Sequence, residues 1–410
     1  MFNEVKRMKK PAIFVLAFGL LIAVLAVGMI LYIQRPAVQQ IWVYETGGEV
    51  WSVGMSSDGY YIVAGTGPAS VNLGGYSENK VYLFSRVSSE PLWIYKVESP
   101  VHCVSISSDS SYIAVGTEGT LNITPQGLGG KVYLFSKSSN TPLWSYECVG
   151  AGDNYVSISS VNWVSISSDG SYIAVGSSNR RIYLFSRTSS APIWSYETGD
   201  TMRQTSISSD GSYLAAGSYD GKVYVFSRND NNPLWIYDTG GPLSAINGIS
   251  ISSNGSYIAA VSVDENRAWE YSPYNKLYLF SRSSSTPLWS YQLPYGGMSV
   301  AISSDGSYVV ARSTGMSKEG FTAHLFSRSD NVPLWSFKGV LGIAISADGS
   351  YVVGGGLNAV YLFSKDNNKP LGSYSTGGEV WSLGISSDGR YVAAGSRDHK
   401  VYVFDRERVS

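Results

Sequence analysis

Histidine, cysteine and loop carboxylates are the groups in this chain able to hold a metal, attack a carbonyl or move a proton, and they are few. The three histidines, His102, His324 and His399, stand in neither an HExxH string nor a Cys/His zinc pattern, so no metal centre of those kinds is expected. Serine is too common to single out a nucleophile, and no strand-turn-helix elbow is present to activate one. Gly354-Gly355-Gly356 lies inside a β pattern and does not open a helix, which excludes a phosphate loop. Asp153, Asp264, Glu265 and Glu270 remain as acids for glycoside hydrolysis or calcium binding, with simple solvation as the alternative. No catalytic residue and no metal ligand is assigned.

The elements that position these residues repeat. A turn residue recurs as Asp58, Asp109, Asp169, Asp210, Asn254, Asp305, Asp348 and Asp388. Around Asp169 the phrase runs Val164-Ser165-Ile166-Ser167, a Ser-Asp-Gly-Ser turn, Tyr172 to Ser177, Arg181 to Arg187, then Pro192-Ile193-Trp194-Ser195-Tyr196. Apolar alternation on both sides of an Asp-Gly pair signals a hairpin, and β units recurring every 40 to 60 residues signal a propeller blade. The last copy supplies strands a, b and c, ending at Phe404, while a lone strand-d phrase, Ile41-Trp42-Val43-Tyr44, precedes the first. The expected fold is therefore all-β: an eight-bladed β-propeller closed by pairing the N-terminal strand with the C-terminal three strands, and preceded by one transmembrane helix. The expected divisions are a basic cytoplasmic segment 1–11, a transmembrane helix 12–33, a linker 34–40 and the propeller 41–410.

The span 12–33 carries no charge and would extend about 33 Å as a helix, enough for a bilayer core. Lys6, Arg7, Lys9 and Lys10 precede it, so the positive-inside rule puts the N-terminus in the cytoplasm and the propeller outside, on an uncleaved cell-membrane anchor. A cleavable signal peptide is the rival reading. Thirty basic and 31 acidic residues leave a net charge of −1, which argues against nucleic acid as a partner. Cys103 falls on an innermost strand and Cys148 at an outermost one of the same repeat, so free buried thiols are expected.

The phrase Pro192-Ile193-Trp194-Ser195-Tyr196-Glu197-Thr198-Gly199 resembles the Trp-bearing strand-d motif of quinoprotein-like (PQQ-like) propellers, and the whole pattern resembles the WD-repeat and quinoprotein-like superfamilies. Phe185-Ser186 replaces the WD dipeptide, and no Gly-His pair precedes strand a. Quinone-binding members use an adjacent cysteine pair and acidic calcium ligands, whereas Cys103 and Cys148 are not adjacent. The resemblance implies a relative without a cofactor, similar to non-enzymatic scaffold propellers.

One propeller face is constant and the other variable. The a–b turns keep their length, and each c–d connection is five residues ending in proline, whereas the b–c loops 67–80, 118–131, 263–276 and 314–323 are long. These long loops, with Glu147 to Asn162, are expected to form two opposed walls across the channel mouth, carrying Tyr76, Asp153, Tyr155, Asp264, Glu265, Arg267, Trp269, Tyr271, Tyr274 and Phe321. The floor is expected from the residue seven before each turn: Trp51, His102, Asn162, Arg203, Asn247, Met298, Leu341 and Trp381. The candidate ligand-binding set is Trp51, His102, Trp163, Arg203, Asn247, Trp269, Tyr271 and Trp381, suited to a glycan or an extended peptide of an envelope protein. Packing of the loops onto the rim is the competing account. The short linker enters on the constant side, so the variable face is expected to point away from the membrane. The constant face carries a ring of Arg86, Lys137, Arg187, Arg228, Arg282, Arg328, Lys365 and Arg406, read either as attraction to anionic head groups or as pairing with turn carboxylates such as Asp169 and Asp210. A binding or assembly scaffold leads the functional readings, ahead of a polysaccharide-active enzyme and a quinoprotein-like redox enzyme.

Overall fold

In a computed structural model, residues 39–68, 79–119, 129–149, 159–241 and 243–407 are described. They form eight four-stranded antiparallel sheets, each ordered a-b-c-d from the axis outward. Seven blades are continuous in sequence. The eighth is closed by Gln39–Glu45, which lies against Lys400–Asp405 with Val43 opposite Tyr402. The expected fold and closure are observed, with the closing strand starting two residues before Ile41. The expected helix 12–33 lies outside the described residues, and among those described no helix is long and apolar enough to cross a membrane.

Each a–b turn is built by its own side chains. In blade 3, Asp169 Oδ1 accepts from Ser167 Oγ at 2.8 Å and from Ser171 N at 2.9 Å, while Tyr172 N donates to Ser167 Oγ at 3.0 Å. The turn needs a left-handed residue, met by Gly170 (φ 69°); blade 2 uses Ser110 there (φ 63°). Asn254 performs the Asp role in blade 5, accepting from Ser252 Oγ and Ser256 N, both at 2.9 Å.

The hydrophobic core is divided into eight wedges, one between each pair of neighbouring blades. Strand c supplies a fully buried phenylalanine to each, from Phe84 to Phe404, and burying each such ring contributes about 2–3 kcal/mol. Three polar devices join blade to blade. The strand-d tryptophan donates Nε1–H to the carbonyl that follows strand c of the next blade, as from Trp235 to Arg282 at 2.6 Å. Seven of the eight junctions have this latch, and Gly372 replaces the tryptophan in blade 7. The basic residue after strand c stacks on the tyrosine opening strand b of the preceding blade, as Arg282 does on Tyr213 at 3.9 Å. On the same face the turn backbones link in series: Ser209 N donates to Ser253 O at 2.9 Å, and Ser253 N to Ser304 O at 2.9 Å.

Candidate functional site

Strand a begins at the variable face, and the residue seven before the turn is where the blades differ. In seven blades the register with strand b slips at that residue: the partner sequence skips from Val50 to Ser52, Val101 to Cys103, Val161 to Trp163, Met202 to Gln204, Ile246 to Gly248, Gly297 to Ser299 and Val380 to Ser382. The skipped residues are Trp51, His102, Asn162, Arg203, Asn247, Met298 and Trp381, seven of the eight floor residues expected from sequence. Each is a β-bulge, a device that re-aims a side chain out of the ladder. Blade 7 is the exception: Leu341 stands before the short strand Gly342–Ile345 and is buried.

The ring divides into two chemistries. On one side Trp51 meets the His102 ring edge to face at 6.4 Å, and burial, then the charge of Arg203, lowers the His102 pKa, leaving its imidazole neutral. Trp51 Nε1–H donates to Glu49 at 3.3 Å and Trp381 Nε1–H to Glu379 at 2.9 Å, a Glu-Val-Trp phrase used twice. Arg397 bridges the two acids, 3.7 Å from Glu49 and 3.4 Å from Glu379, and stacks over Trp381 at 5.6 Å. Lys318 also pairs with Glu379. Partial burial raises the Glu379 pKa, but the hydrogen bonds and cations outweigh it and hold the carboxyl below its usual range. Phe321 reaches over from blade 6 to meet Trp381 edge to face at 6.2 Å, and Arg312 lies 5.4 Å from both rings.

On the other side the ring amides tie blades together. Asn162 Nδ2 donates to Met202 O at 2.7 Å, and Asn247 Nδ2 to Gly297 O at 3.3 Å, so Asn247, expected as a ligand contact, is partly committed to structure. Its Oδ1 is buried without a hydrogen bond. Arg203 lies over the Tyr219 ring at 5.6 Å.

The blade 5 loop is tied together by its own hydrogen bonds. Asp264 caps the 3-10 turn Glu265–Arg267 and accepts from Ser272 Oγ at 2.7 Å, and Asn275 Nδ2 donates to Arg267 O and Glu270 O. Asp264, an acid considered for catalysis, is thereby used to hold its own loop. The loop presents Trp269 (51% exposed), which meets Phe321 at 5.6 Å, and Tyr271 (65% exposed). Trp163, beside the bulge of blade 3, is 39% exposed. Of the eleven tryptophans, seven form latches and the other four, Trp51, Trp163, Trp269 and Trp381, all stand at this mouth. The wall expected from Tyr76, Asp153 and Tyr155 lies outside the described residues.

Two family models match stretches of the chain: WD domain, G-beta repeat over residues 89–123 and 368–405, and outer membrane protein assembly factor BamB over residues 128–260. The chain is a WD40/PQQ-like β-propeller. No curated protein matches it. The WD-type matches begin in the strand-d region of one blade and run into the next, the phase in which this propeller closes. Blade 8 ends in Phe404-Asp405, and Asp405 is held by Arg390 through two bonds of 3.0 and 3.1 Å.

The constant face of this WD40/PQQ-like propeller corrects one expectation. Its basic ring is bound locally, mostly to tyrosine rings and turn carbonyls and not to the a–b turn carboxylates: Arg187 stacks on Tyr112 at 4.6 Å and donates to Asp169 O at 3.2 Å, while Lys365 and Arg406 also pair with the adjacent Asp366 and Glu407. The carboxylates instead serve their own turns. Cys103 and Cys148 are both free and buried in the wedge between blades 2 and 3, and burial raises both thiol pKa values. Among the described residues no cluster of His, Cys, Asp and Glu is arranged to hold a metal ion. Sequence reasoning missed Arg312, Glu49, Glu379, Arg397 and Lys318. The duplicated Glu-Val-Trp phrase and an arginine where six of the other seven strands b carry glycine were the available signals.

Proposed function

We propose that this propeller is a membrane-anchored extracytoplasmic scaffold that holds a partner protein at the mouth of its channel. The bulge ring carries this reading. A bulge forfeits ladder hydrogen bonds, yet it recurs in seven blades at the one strand-a position whose residue type changes most around the ring. Packing alone calls for one residue repeated, as the latch tryptophans and strand-c phenylalanines are. Recognition calls for a rigid scaffold with a varied, aromatic-rich surface, which Trp51, His102, Trp163, Arg203, Trp269, Tyr271 and Trp381 supply. The match to a family described as an outer membrane protein assembly factor supports a protein as the partner. The charge-free span 12–33 supports the anchor. Glu49 and Glu379 are the paired acids of the mouth, and Lys318 and Arg397 keep Glu379 ionised, which favours binding over acid–base hydrolysis.

Full-length protein is screened against arrays of envelope proteins and glycans beside a Trp51→Ala/Trp163→Ala/Trp269→Ala variant. Binding to a protein that the folded variant loses by tenfold or more supports the reading. Binding the variant retains, or binding only to glycans, overturns it.

A further inference from the structure

Arg312 breaks the strand-b pattern. Six of the other seven blades carry glycine at its position (Gly65, Gly116, Gly176, Gly217, Gly355 and Gly395) and blade 5 carries Val261. The glycine is a packing requirement, because strand a of the next blade presses there. A Cβ on Gly65 would lie 2.2 Å from Val101, and one on Gly116 2.4 Å from Val161. Val261 is admitted because the residue facing it is Gly297. At the junction of blades 6 and 7 the space is freed differently. Strand a of blade 7 is the short Gly342–Ile345, and Val340 turns onto Gly354 of its own blade, 3.2 Å from where a Cβ would be. A long side chain fits there, and the side chain present is a cation.

Among the described residues that cation has no counterion. Arg312 is 5% exposed, its Nε donates to Ser299 Oγ at 3.2 Å, and its Nη1 is buried without a hydrogen bond. It joins none of the ion pairs of the described residues. Lys318 and Arg397, the other cations of this part of the mouth, pair with Glu379 and Glu49, and neither of those carboxylates pairs with Arg312. Burial lowers the Arg312 pKa to about 9, which leaves the group charged at neutral pH, with one hydrogen bond and two aromatic faces but no described carboxylate to offset its desolvation. A buried charge without a partner opposes folding. Phe321 and Trp381 wall the guanidinium without neutralising it.

We infer that Arg312 is an anion-binding centre in the channel mouth, and that it takes a single carboxylate from an acidic side chain or a chain terminus of the partner. The inference rests on the mouth being a recognition surface. The planar fork of a guanidinium matches a planar carboxylate edge to edge, and a single unmatched positive charge suits one carboxylate better than a dianionic phosphate. The aromatic walls exclude water from the pair and strengthen it.

The probe is trifluoroacetate, followed by fluorine NMR line broadening on the full-length protein, with N-acetylglycine, N-acetylglycinamide and inorganic phosphate as competitors. Saturable broadening is expected, displaced by N-acetylglycine and not by its amide, and weakened about tenfold or more in Arg312→Met. Arg312→Met should also raise the thermal midpoint, a gain that a purely structural arginine would not produce. Arg312→Lys keeps the charge without the fork, and is expected to fold and bind weakly; it serves if the methionine variant fails to fold. Broadening unchanged in both variants, absent in the wild type, or displaced better by phosphate overturns the inference. Carboxylate binding that persists while no partner is captured at the mouth would sink the wider scaffold reading and leave this site standing.

Discussion

His324 gives the fold a pH dependence that one substitution should remove. It occupies the strand-c position filled by tyrosine in the other seven blades, as by Tyr82, Tyr278 and Tyr402. It is 5% exposed, with Nδ1 2.8 Å from Ser336 Oγ, Nε2 3.3 Å from Ser313 Oγ, and the rings of Tyr291 and Phe326 beside it at 6.1 and 6.4 Å. No carboxylate pairs with it, and burial lowers its pKa from 6.5 to about 4. The unfolded chain therefore binds this proton more readily than the folded one. Its contribution is fully present above pH 6.5 and is lost as pH falls towards about 4, a loss of about 3 kcal/mol. His324→Tyr restores the repeat residue and removes the titration. Urea unfolding of both proteins, followed by tryptophan fluorescence from about pH 8 down to about pH 4, isolates the effect, because other groups titrate alike in both. The stability difference between variant and wild type should shift by about 3 kcal/mol in favour of the variant across that range. A difference that stays constant with pH would refute the reasoning.

Trp235→Phe keeps the ring on Phe280 and removes the 2.6 Å bond to Arg282 O, so it should cost about 1–2 kcal/mol in urea unfolding, partly through the carbonyl left unpaired. Ser110→Gly relieves the one non-glycine left-handed residue among the a–b turns (φ 63°) and should stabilise by about 1 kcal/mol in the same assay. Asp210→Asn should be nearly neutral, since Asn254 performs the same function in blade 5, whereas Asp210→Ala should cost about 1–2 kcal/mol by releasing Ser208 Oγ and Ser212 N.

The blades were legible because each pairs period-two alternation with an Asp-Gly turn, and those local signals recur in register. The closure followed from counting, since a strand-d phrase at Ile41 has only one blade lacking it. The bulges were not legible. A bulge adds one residue to a strand without any chemical mark, and Trp51 or Arg203 looks like an ordinary strand residue until its partner is skipped. The partners of the basic ring were hidden for another reason: Arg282 stacks on Tyr213 of the preceding blade, a contact set by propeller twist and not by sequence distance. Arg312 was missed although an arginine among glycines was visible, and that no described carboxylate pairs with it is a property of the fold and not of the sequence. Seven of the eight floor positions fall on the bulge because the turn fixes the length of strand a, and Leu341 does not. Asn247 shows the limit, being a ring residue that also bonds to the next blade.

Site-specific photocrosslinking in the native cell tests the central claim most directly. A photoreactive residue is placed at Trp163 or Tyr271 on the mouth, or at Val87 or Val332 on the constant face, all four exposed. The scaffold account predicts the same discrete protein adduct from both mouth positions and none from the constant face. Adducts from Val87 or Val332, with none from the mouth, would contradict it.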